Sequence, residues 1–237
     1  HIDQNQEGDK ADKGYENGDY FLFQFYFPLK YICIIISHIF KILNRKAIII
    51  MDKKLTLKLN VGYGLVQGFY WMIYCCVVSY ASAYLTGRGF STTALGLILA
   101  MGYLIATISQ QAISSATDRA KKISVLEVMD IVLVLLIVSL LILLTTKGTT
   151  FITFVILVAA CTLINVLQPL ANALNFYMER TECTMNYGAC RSMGSLFFSV
   201  ISIIVGRYMS EVSINAAPVA AIIVCLLMLL DQFYLGI

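Results

Sequence analysis

The chain is poor in charged residues, in histidine and in the cysteine spacings that bind metals. Asp, Glu, Lys and Arg make up 13% of its 237 residues, about half of the share that soluble domains carry. Its two histidines are His1 and His38, and none of its seven cysteines forms a C-x-x-C pair, so no metal site is expected. We interpret the cysteines as small hydrophobic residues.

Two further absences narrow the classes of function. No basic patch is interleaved with aromatic residues, so nucleic acid is not an expected partner. The apolar part has no histidine and no pair of deep carboxylates, so an enzyme is not expected. Hydrophobic residues instead make up 59% of the chain, and the mean hydropathy is +0.79. Most of the chain therefore belongs in a lipid bilayer.

Residues 1–50 differ from the rest of the chain. The first part of this segment is polar, rich in Gly, Asp and Lys, and without periodicity, which predicts disorder. The part after it is aromatic and Ile-rich but is interrupted by Pro28 and Lys30, so it makes a poor membrane span; an interfacial helix is the alternative. Met51-Asp-Lys-Lys is typical of the start of a bacterial membrane protein. We therefore hypothesise that Met51 is the initiator and that residues 1–50 are translated upstream sequence.

Residues 51–237 contain six apolar segments, each long enough to cross about 30 Å of hydrocarbon as a helix. Their approximate bounds are 60–84, 92–115, 125–146, 151–176, 189–209 and 216–236. The sequence therefore predicts an all-α membrane protein with six transmembrane helices.

Basic residues are unevenly distributed over the loops between these segments. One side of the membrane is expected to carry Lys53, Lys54, Lys58, Arg119, Lys121, Lys122 and Arg180. The opposite side has one basic residue in each loop: Arg88, Lys147 and Arg207. By the positive-inside rule, the N-terminus and the loops at 117–123 and 177–188 are cytoplasmic. Six spans then place the C-terminus in the cytoplasm as well, in a multi-pass protein of the cell membrane.

Polar stripes follow two neighbouring segments. The fourth segment carries amides at spacings of three, four and three residues, which places them on one helical face: Asn165, Gln168, Asn172 and Asn175. In the fifth segment Arg191 opens an uncharged apolar run, and Ser195 and Phe198 follow it at helical spacing. An arginine inside a bilayer costs roughly 3 kcal/mol, so it should face protein or a water-filled cavity. The two stripes predict a passage for a polar solute.

The first segment has a polar face of its own, made by Tyr63, Gln67, Tyr70 and Tyr74. Tyr63 is explained equally well by an aromatic girdle at the membrane interface, whereas the other three lie deeper and need partners. The candidate solute-binding residues are therefore Gln67, Tyr70, Tyr74, Asn165, Gln168, Asn172, Arg191, Ser195 and Phe198. The alternative is that the amides join neighbouring helices without contacting a solute.

Three residues in the third and fourth segments have local interpretations. Glu127 and Asp130 begin the third segment, where the N-terminal end of a helix dipole favours negative charge. Proton handling by Asp130 is the alternative. Pro169 removes a backbone hydrogen bond and is expected to kink the fourth segment beside the amides.

Three runs of residues match motifs of one family. The run Asn-Tyr-Gly-Ala-Cys-Arg-Ser-Met-Gly-Ser at 186–195 fits [F/Y]-G-x-x-R-x-x-G-[S/C] at the start of a fifth helix. The stretch at 168–180, from Gln-Pro to Tyr-Met-Glu-Arg, is similar to the exit of a fourth helix. The loop at 114–122 is similar to G-x-x-x-D-[R/K]-x-x-[R/K], with serine in place of the leading glycine. Over residues 58–237 the chain thus resembles the major facilitator superfamily, in particular its lactose permease-like oligosaccharide/nucleoside:proton symporter branch.

The resemblance implies roles for particular residues. Arg191 would be the substrate-contacting arginine of the fifth helix, and Phe198 would occupy its aromatic stacking position. Asp118 and Arg119 would serve the conformational loop after the second helix. The lactose permease-like carriers pair the arginine with a carboxylate of the fourth helix, where this chain has Ala173. The resemblance therefore does not extend to galactoside specificity.

The resemblance also implies a second six-helix half, with the solute held between the halves near the midplane. The proton-coupling acids of this branch lie mainly in that second half, and we find no deep carboxylate in this one. We therefore expect the N-terminal half of a secondary active transporter that moves a sugar or nucleoside with protons by alternating access. The expected partner is a missing C-terminal half or a second copy, and no cofactor is expected besides the coupling proton. The alternatives are an exporter of the same superfamily and an accessory six-helix membrane protein without transport activity.

Overall fold

The computed structural model describes residues 53–119, 124–146, 148–179 and 184–235, and the side chains of these ranges except those of 53–55 and 114–119. Every regular element in the described ranges is helical. The α-helices are α1 (Lys53–Tyr74), α2 (Ala81–Gly87), α3 (Thr92–Arg119), α4 (Val125–Thr145), α5 (Phe151–Glu179), α6 (Tyr187–Glu211) and α7 (Ala216–Leu235), and a π-helical turn, Cys75–Ser79, joins α1 to α2. The predictions for residues 1–50 lie outside the described residues.

Six stretches of helix within the described residues are long and apolar enough to cross a membrane. They are Thr56–Gly87, Thr92–Ile113, Val125–Thr145, Phe151–Glu179, Tyr187–Glu211 and Ala216–Leu235. The predicted all-α fold with six transmembrane helices is therefore confirmed. The first, fourth and fifth spans are longer than predicted, because helical hydrogen bonding continues into the polar residues that flank the apolar runs.

The start of α4 is a capping box. The side chain of Ser124 accepts a hydrogen bond from the backbone N–H of Leu126 at 3.3 Å, and Glu127 Oε2 accepts one from the backbone N–H of Ser124 at 3.2 Å. Glu127 therefore stabilises the start of the helix, as its position in the sequence predicts.

Asn60 holds the start of α6 against α1. Its Oδ1 accepts the backbone N–H of Asn186 at 2.7 Å, and its Nδ2 donates to the carbonyl of Thr184 at 3.1 Å. Asn186 in turn caps α6, because its Oδ1 accepts the backbone N–H of Ala189 at 3.2 Å. Helix starts leave N–H groups unpaired, and these contacts satisfy some of them. They also set the position of Arg191 in the second turn of α6.

α1 packs closely on α6 through a reciprocal pair of glycines. A Cβ atom on Gly68 would clash with the ring of Phe197, and one on Gly194 would clash with the indole of Trp71. An aromatic ring of each helix thus packs directly on the backbone of the other helix at a glycine. Small residues permit such close approach between membrane helices. The packing brings the polar face of α1 next to Arg191.

α5 continues through Pro169 without a break. Proline has no backbone N–H, so the carbonyl of Asn165, four residues earlier, loses its helical hydrogen bond. Gln110 of α3 donates its Nε2–H to that carbonyl at 2.8 Å. A side chain of a neighbouring helix therefore replaces the bond that proline removes and ties α3 to α5. The predicted kink stays a prediction.

Candidate functional site

A buried amide contact joins α1 to α5. The side chain of Gln67 is 1% exposed, and its Nε2 donates to Asn172 Oδ1 at 3.2 Å and to the hydroxyl of Tyr63 at 2.9 Å. Buried amides are almost always hydrogen-bonded in folded proteins, and these contacts meet that requirement. The structure thus brings together two predicted site residues, Gln67 and Asn172, from different helices.

Trp71 is the centre of an aromatic cluster on the same face of α1. Its indole meets the ring of Tyr70 edge-on and that of Tyr74 at a tilt, with centroids 5.3 Å apart in both cases. Phe198 of α6 approaches the indole edge-on at 6.5 Å. The hydroxyl of Tyr74 shares a hydrogen bond of 3.0 Å with that of Tyr103 on α3. Three predicted residues, Tyr70, Tyr74 and Phe198, therefore surround one indole.

Arg191 lies over this cluster. Its guanidinium carbon is 4.4 Å from the centroid of the Trp71 ring, a cation–π contact worth about 2 kcal/mol when the groups are desolvated. Among the described residues the ion pair that forms is Arg207–Glu211, so Arg191 has no carboxylate partner there. The guanidinium is half-buried and its charge is not neutralised.

Several hydrogen-bond donors near Arg191 have no partner within the described ranges. The hydroxyl of Tyr70 and the indole N–H of Trp71 are buried and unpaired. Ser195 lies one helical turn after Arg191 and is exposed. Because buried donors are rarely left unpaired, the contacts of the described chain do not account for the hydroxyl of Tyr70 and the indole N–H of Trp71. The following residues are called the Arg191 site: Gln67, Tyr70, Trp71, Tyr74, Asn172, Arg191, Ser195 and Phe198.

Two of the other amides of α5 use partners on their own helix. Asn165 Nδ2 donates to the carbonyl four residues earlier at 2.7 Å. Asn175 Nδ2 donates to the carboxylate four residues later at 3.1 Å. Gln168 is half-buried, and its side chain makes no hydrogen bond with the described part of the chain. The structure therefore divides the predicted stripe, and Asn172 is the amide that reaches α1.

The two predicted loop residues, Asp118 and Arg119, belong to the last turn of α3. Their side chains lie outside the described residues. Their role in a conformational loop stays a prediction.

Sequence reasoning missed Trp71 and Asp231. Trp71 follows Gln67 by four residues and precedes Tyr74 by three, a helical spacing that places it on the same face. Asp231 of α7 is 8% exposed, and its Oδ2 has no hydrogen-bond partner within the described chain. α7 buries this carboxylate inside the protein, near the end of the last span. The expectation that this half has no carboxylate deep in the membrane stays a prediction. An acidic residue inside the last apolar segment was the available signal.

Comparison with known proteins identifies one family. The family model described as the MFS_1 like family matches residues 63–236, a range that includes the whole Arg191 site. No curated protein and no solved structure matches the chain. The match covers most of the chain and agrees with its six apolar spans. The chain therefore belongs to the MFS_1 like family of the major facilitator superfamily, and it is a multi-pass membrane protein of a transporter family.

Proposed function

We propose that this chain acts in a secondary active transporter that moves a small polar solute, of the sugar or nucleoside class, across the cell membrane together with protons. The family and the six apolar spans support transport. The contact of Gln67 with Asn172 and that of Arg191 with Trp71 bring polar groups of α5 and α6 to one face of α1, which supports a polar solute. The solute would be passed from one side to the other by alternating access.

The observation that carries the proposal is the unneutralised charge of Arg191. A charged side chain in a membrane-spanning helix costs roughly 3 kcal/mol, and the contact with Trp71 offsets part of that cost. Packing between helices explains the hydrogen bond that Gln67 donates to Asn172. It does not explain a guanidinium whose donors have no acceptor in the described chain. A polar solute explains it, because the solute would accept those hydrogen bonds.

Asp231 is our candidate for the group that couples transport to protons. It is the one acid that is buried among the described residues, and one of its oxygens has no partner there. Ionisable groups inside membrane spans are rare and commonly serve ion or proton pathways. Asp231 would thus bind and release the coupling proton as the transporter changes conformation.

Transporters of this kind hold their solute between two six-helix units. We propose that the Arg191 site faces such a second unit, supplied by another part of the same protein or by a second copy. The N- and C-terminal ends of the six-span region would be cytoplasmic, and Asp118 and Arg119 would act in the conformational loop on that side.

Uptake of labelled sugars and nucleosides by cells that express the full chain tests the proposal. We expect uptake that a protonophore abolishes, and a reduction of about tenfold or more in the Arg191→Ala variant at equal membrane insertion. Arg207→Ala is the matched control on the same helix, because Arg207 is 74% exposed and paired with Glu211. Equal uptake by the two variants would contradict the proposal.

The proton-coupling role of Asp231 has its own test. We expect the Asp231→Asn variant to bind and exchange solute across vesicles but to lose accumulation driven by a pH gradient. Accumulation at the wild-type level would remove Asp231 from the coupling step while leaving the solute site in place.

A further inference from the structure

The arginines whose side chains the structure describes differ in what balances their charge. Arg88 donates to two backbone carbonyls at the end of α4, at 2.9 Å each. Arg207 is paired with a carboxylate of its own helix at 3.1 Å. Arg191 has an indole ring beneath it and, within the described ranges, neither a carbonyl nor a carboxylate on its nitrogens. Of these three arginines, Arg191 is therefore the one whose charge has no anionic or carbonyl partner in the described chain.

The remaining polar groups of the Arg191 site are neutral, and several of them are unused donors. The side chain of Tyr70 is 1% exposed, and its hydroxyl has no partner in the described chain. The same holds for the indole N–H of Trp71, whose ring lies against the guanidinium. Ser195 presents a hydroxyl one turn beyond Arg191. Arg191 is the partly exposed cation of this otherwise neutral site, so the site favours a ligand group that accepts hydrogen bonds and carries negative charge.

We infer that the solute carries a negatively charged group, a carboxylate or a phosphate, that binds the guanidinium of Arg191. The inference rests on the proposed function, since it names the class of solute for the same site. Guanidinium groups suit both anions, because they donate two parallel hydrogen bonds to a pair of oxygens. Sugar acids, sugar phosphates and nucleotides have this chemistry, whereas neutral sugars and nucleosides lack the charge.

The rest of the Arg191 site fits the uncharged part of such a solute. Phe198 and Trp71 offer apolar ring surfaces to the less polar face of a sugar or base. Ser195 and Asn172, both with some exposure, offer hydrogen bonds to solute hydroxyl groups. The anion would therefore supply affinity through Arg191, and the hydroxylated frame would supply selectivity.

Trp71 makes a direct binding experiment feasible. It is the one tryptophan of the chain, so the tryptophan fluorescence of the purified full chain reports on this site alone. The probes are matched pairs at constant ionic strength: glucose against glucuronate, and uridine against uridine monophosphate. Inorganic phosphate tests an anion without a hydroxylated carbon frame. We expect the anionic member of at least one pair to bind about tenfold or more tightly than its neutral partner, and inorganic phosphate to bind weakly.

Variants assign the preference to the arginine. Arg191→Ala should abolish it, Arg191→Lys should retain part of it because the charge remains, and Arg207→Ala should leave it unchanged. Thermal unfolding of each variant checks that it is folded. Equal binding of the neutral and anionic members of both pairs would overturn the inference, as would a preference that survives in Arg191→Ala.

Failure of this inference and failure of the proposed function give different results. Binding and Arg191-dependent uptake of a neutral sugar would keep the transporter and overturn the anionic solute. Arg191-dependent binding of an anion to a protein that shows no uptake would keep the anion and contradict transport.

Discussion

Two arginines of the described region lie over aromatic rings, and their surroundings differ. The guanidinium carbon of Arg88 is 4.9 Å from the centroid of the Tyr84 ring, and its nitrogens donate to two carbonyls at the end of α4. A helix leaves its last carbonyls unpaired, and its dipole favours a cation there. Arg191 is 4.4 Å from the Trp71 ring, but it lies near the start of α6, where the dipole disfavours a cation.

The difference separates an arginine that stabilises the fold from one that is available to a ligand. Arg88 uses its donors on backbone groups that would otherwise be unpaired, so the chain itself accounts for it. Arg191 stands at the less favourable end of its helix with no carboxylate among the described residues. We therefore propose that binding, and not packing, accounts for its place in an apolar span. Four predictions test this division, from the largest expected effect to the smallest.

Replacing each arginine by methionine should affect stability very differently. Arg88→Met removes two charge-assisted hydrogen bonds to carbonyls, and we expect it to lower the free energy of unfolding by about 3 kcal/mol. Arg191→Met loses one cation–π contact but also removes an unneutralised charge, so we expect a change of less than about 1 kcal/mol. Thermal unfolding in detergent measures both. An Arg191→Met variant that is as unstable as Arg88→Met would show that Arg191 is structural.

A methyl group on Gly194 of α6 should disturb the Arg191 site by displacing Trp71 of α1. Its Cβ would press on the indole of Trp71, so we expect Gly194→Ala to cost about 2 kcal/mol by overpacking and to shift the tryptophan emission. Gly188 is the matched control on α6, because a Cβ there meets nothing within 4 Å. Fluorescence and thermal unfolding compare the two variants. The same response from both would refute the close approach of α1 and α6.

The contact between Gln67 and Asn172 should stabilise the fold, as the contacts of Arg88 with backbone carbonyls do. A double-mutant cycle with Gln67→Leu and Asn172→Leu should give a coupling free energy of about 1 kcal/mol. Asn165 is the control, because its side chain bonds within α5, so Asn165→Ala should add independently to Gln67→Leu. No coupling between Gln67 and Asn172 would leave both amides free for the solute.

Gln110 should stabilise the fold in the same way as Arg88, through a carbonyl that lacks a helical partner. We expect Gln110→Leu to lower the free energy of unfolding by about 0.5 kcal/mol, the usual size of such bonds in membranes. The exposed neighbour Gln111 is the control, and Gln111→Leu should have no effect. In a Pro169→Ala background the carbonyl of Asn165 regains its helical bond, so Gln110→Leu should cost less there. An equal cost in both backgrounds would contradict the link to Pro169.

The six spans could be predicted from the sequence because bilayer thickness sets a minimum length for an apolar helix. Helical spacing also placed Gln67 and Asn172 on faces that meet. It could not separate Asn172 from Asn165, because two amides on one face look alike whether they cross to another helix or bond to their own. That choice depends on which helix packs against each turn, which one sequence does not state.

Local irregularities limited the prediction further. The π-helical turn at Cys75–Ser79 adds a residue to a turn of helix, so spacing counted from Tyr70 no longer gives the face of Tyr80. The structure places the Tyr80 hydroxyl 2.6 Å from the carbonyl of Ser202, to which it donates. Helical spacing does not give the burial of Asp231 either, because its burial depends on which side of α7 packs against other helices.

The central claim is that Arg191 presents an unneutralised positive charge to a space that polar molecules reach. The five cysteines of the described region are buried. We replace the other two by Cys33→Ser and Cys183→Ser and introduce Ser195→Cys at an exposed position. The new thiol then reports on this space. The measurement is the ratio of its reaction rates with a negatively and a positively charged thiol reagent of similar size. The account predicts that the negative reagent reacts about threefold or more faster, and that Arg191→Ala abolishes this preference. A ratio that is the same with and without Arg191 would contradict it.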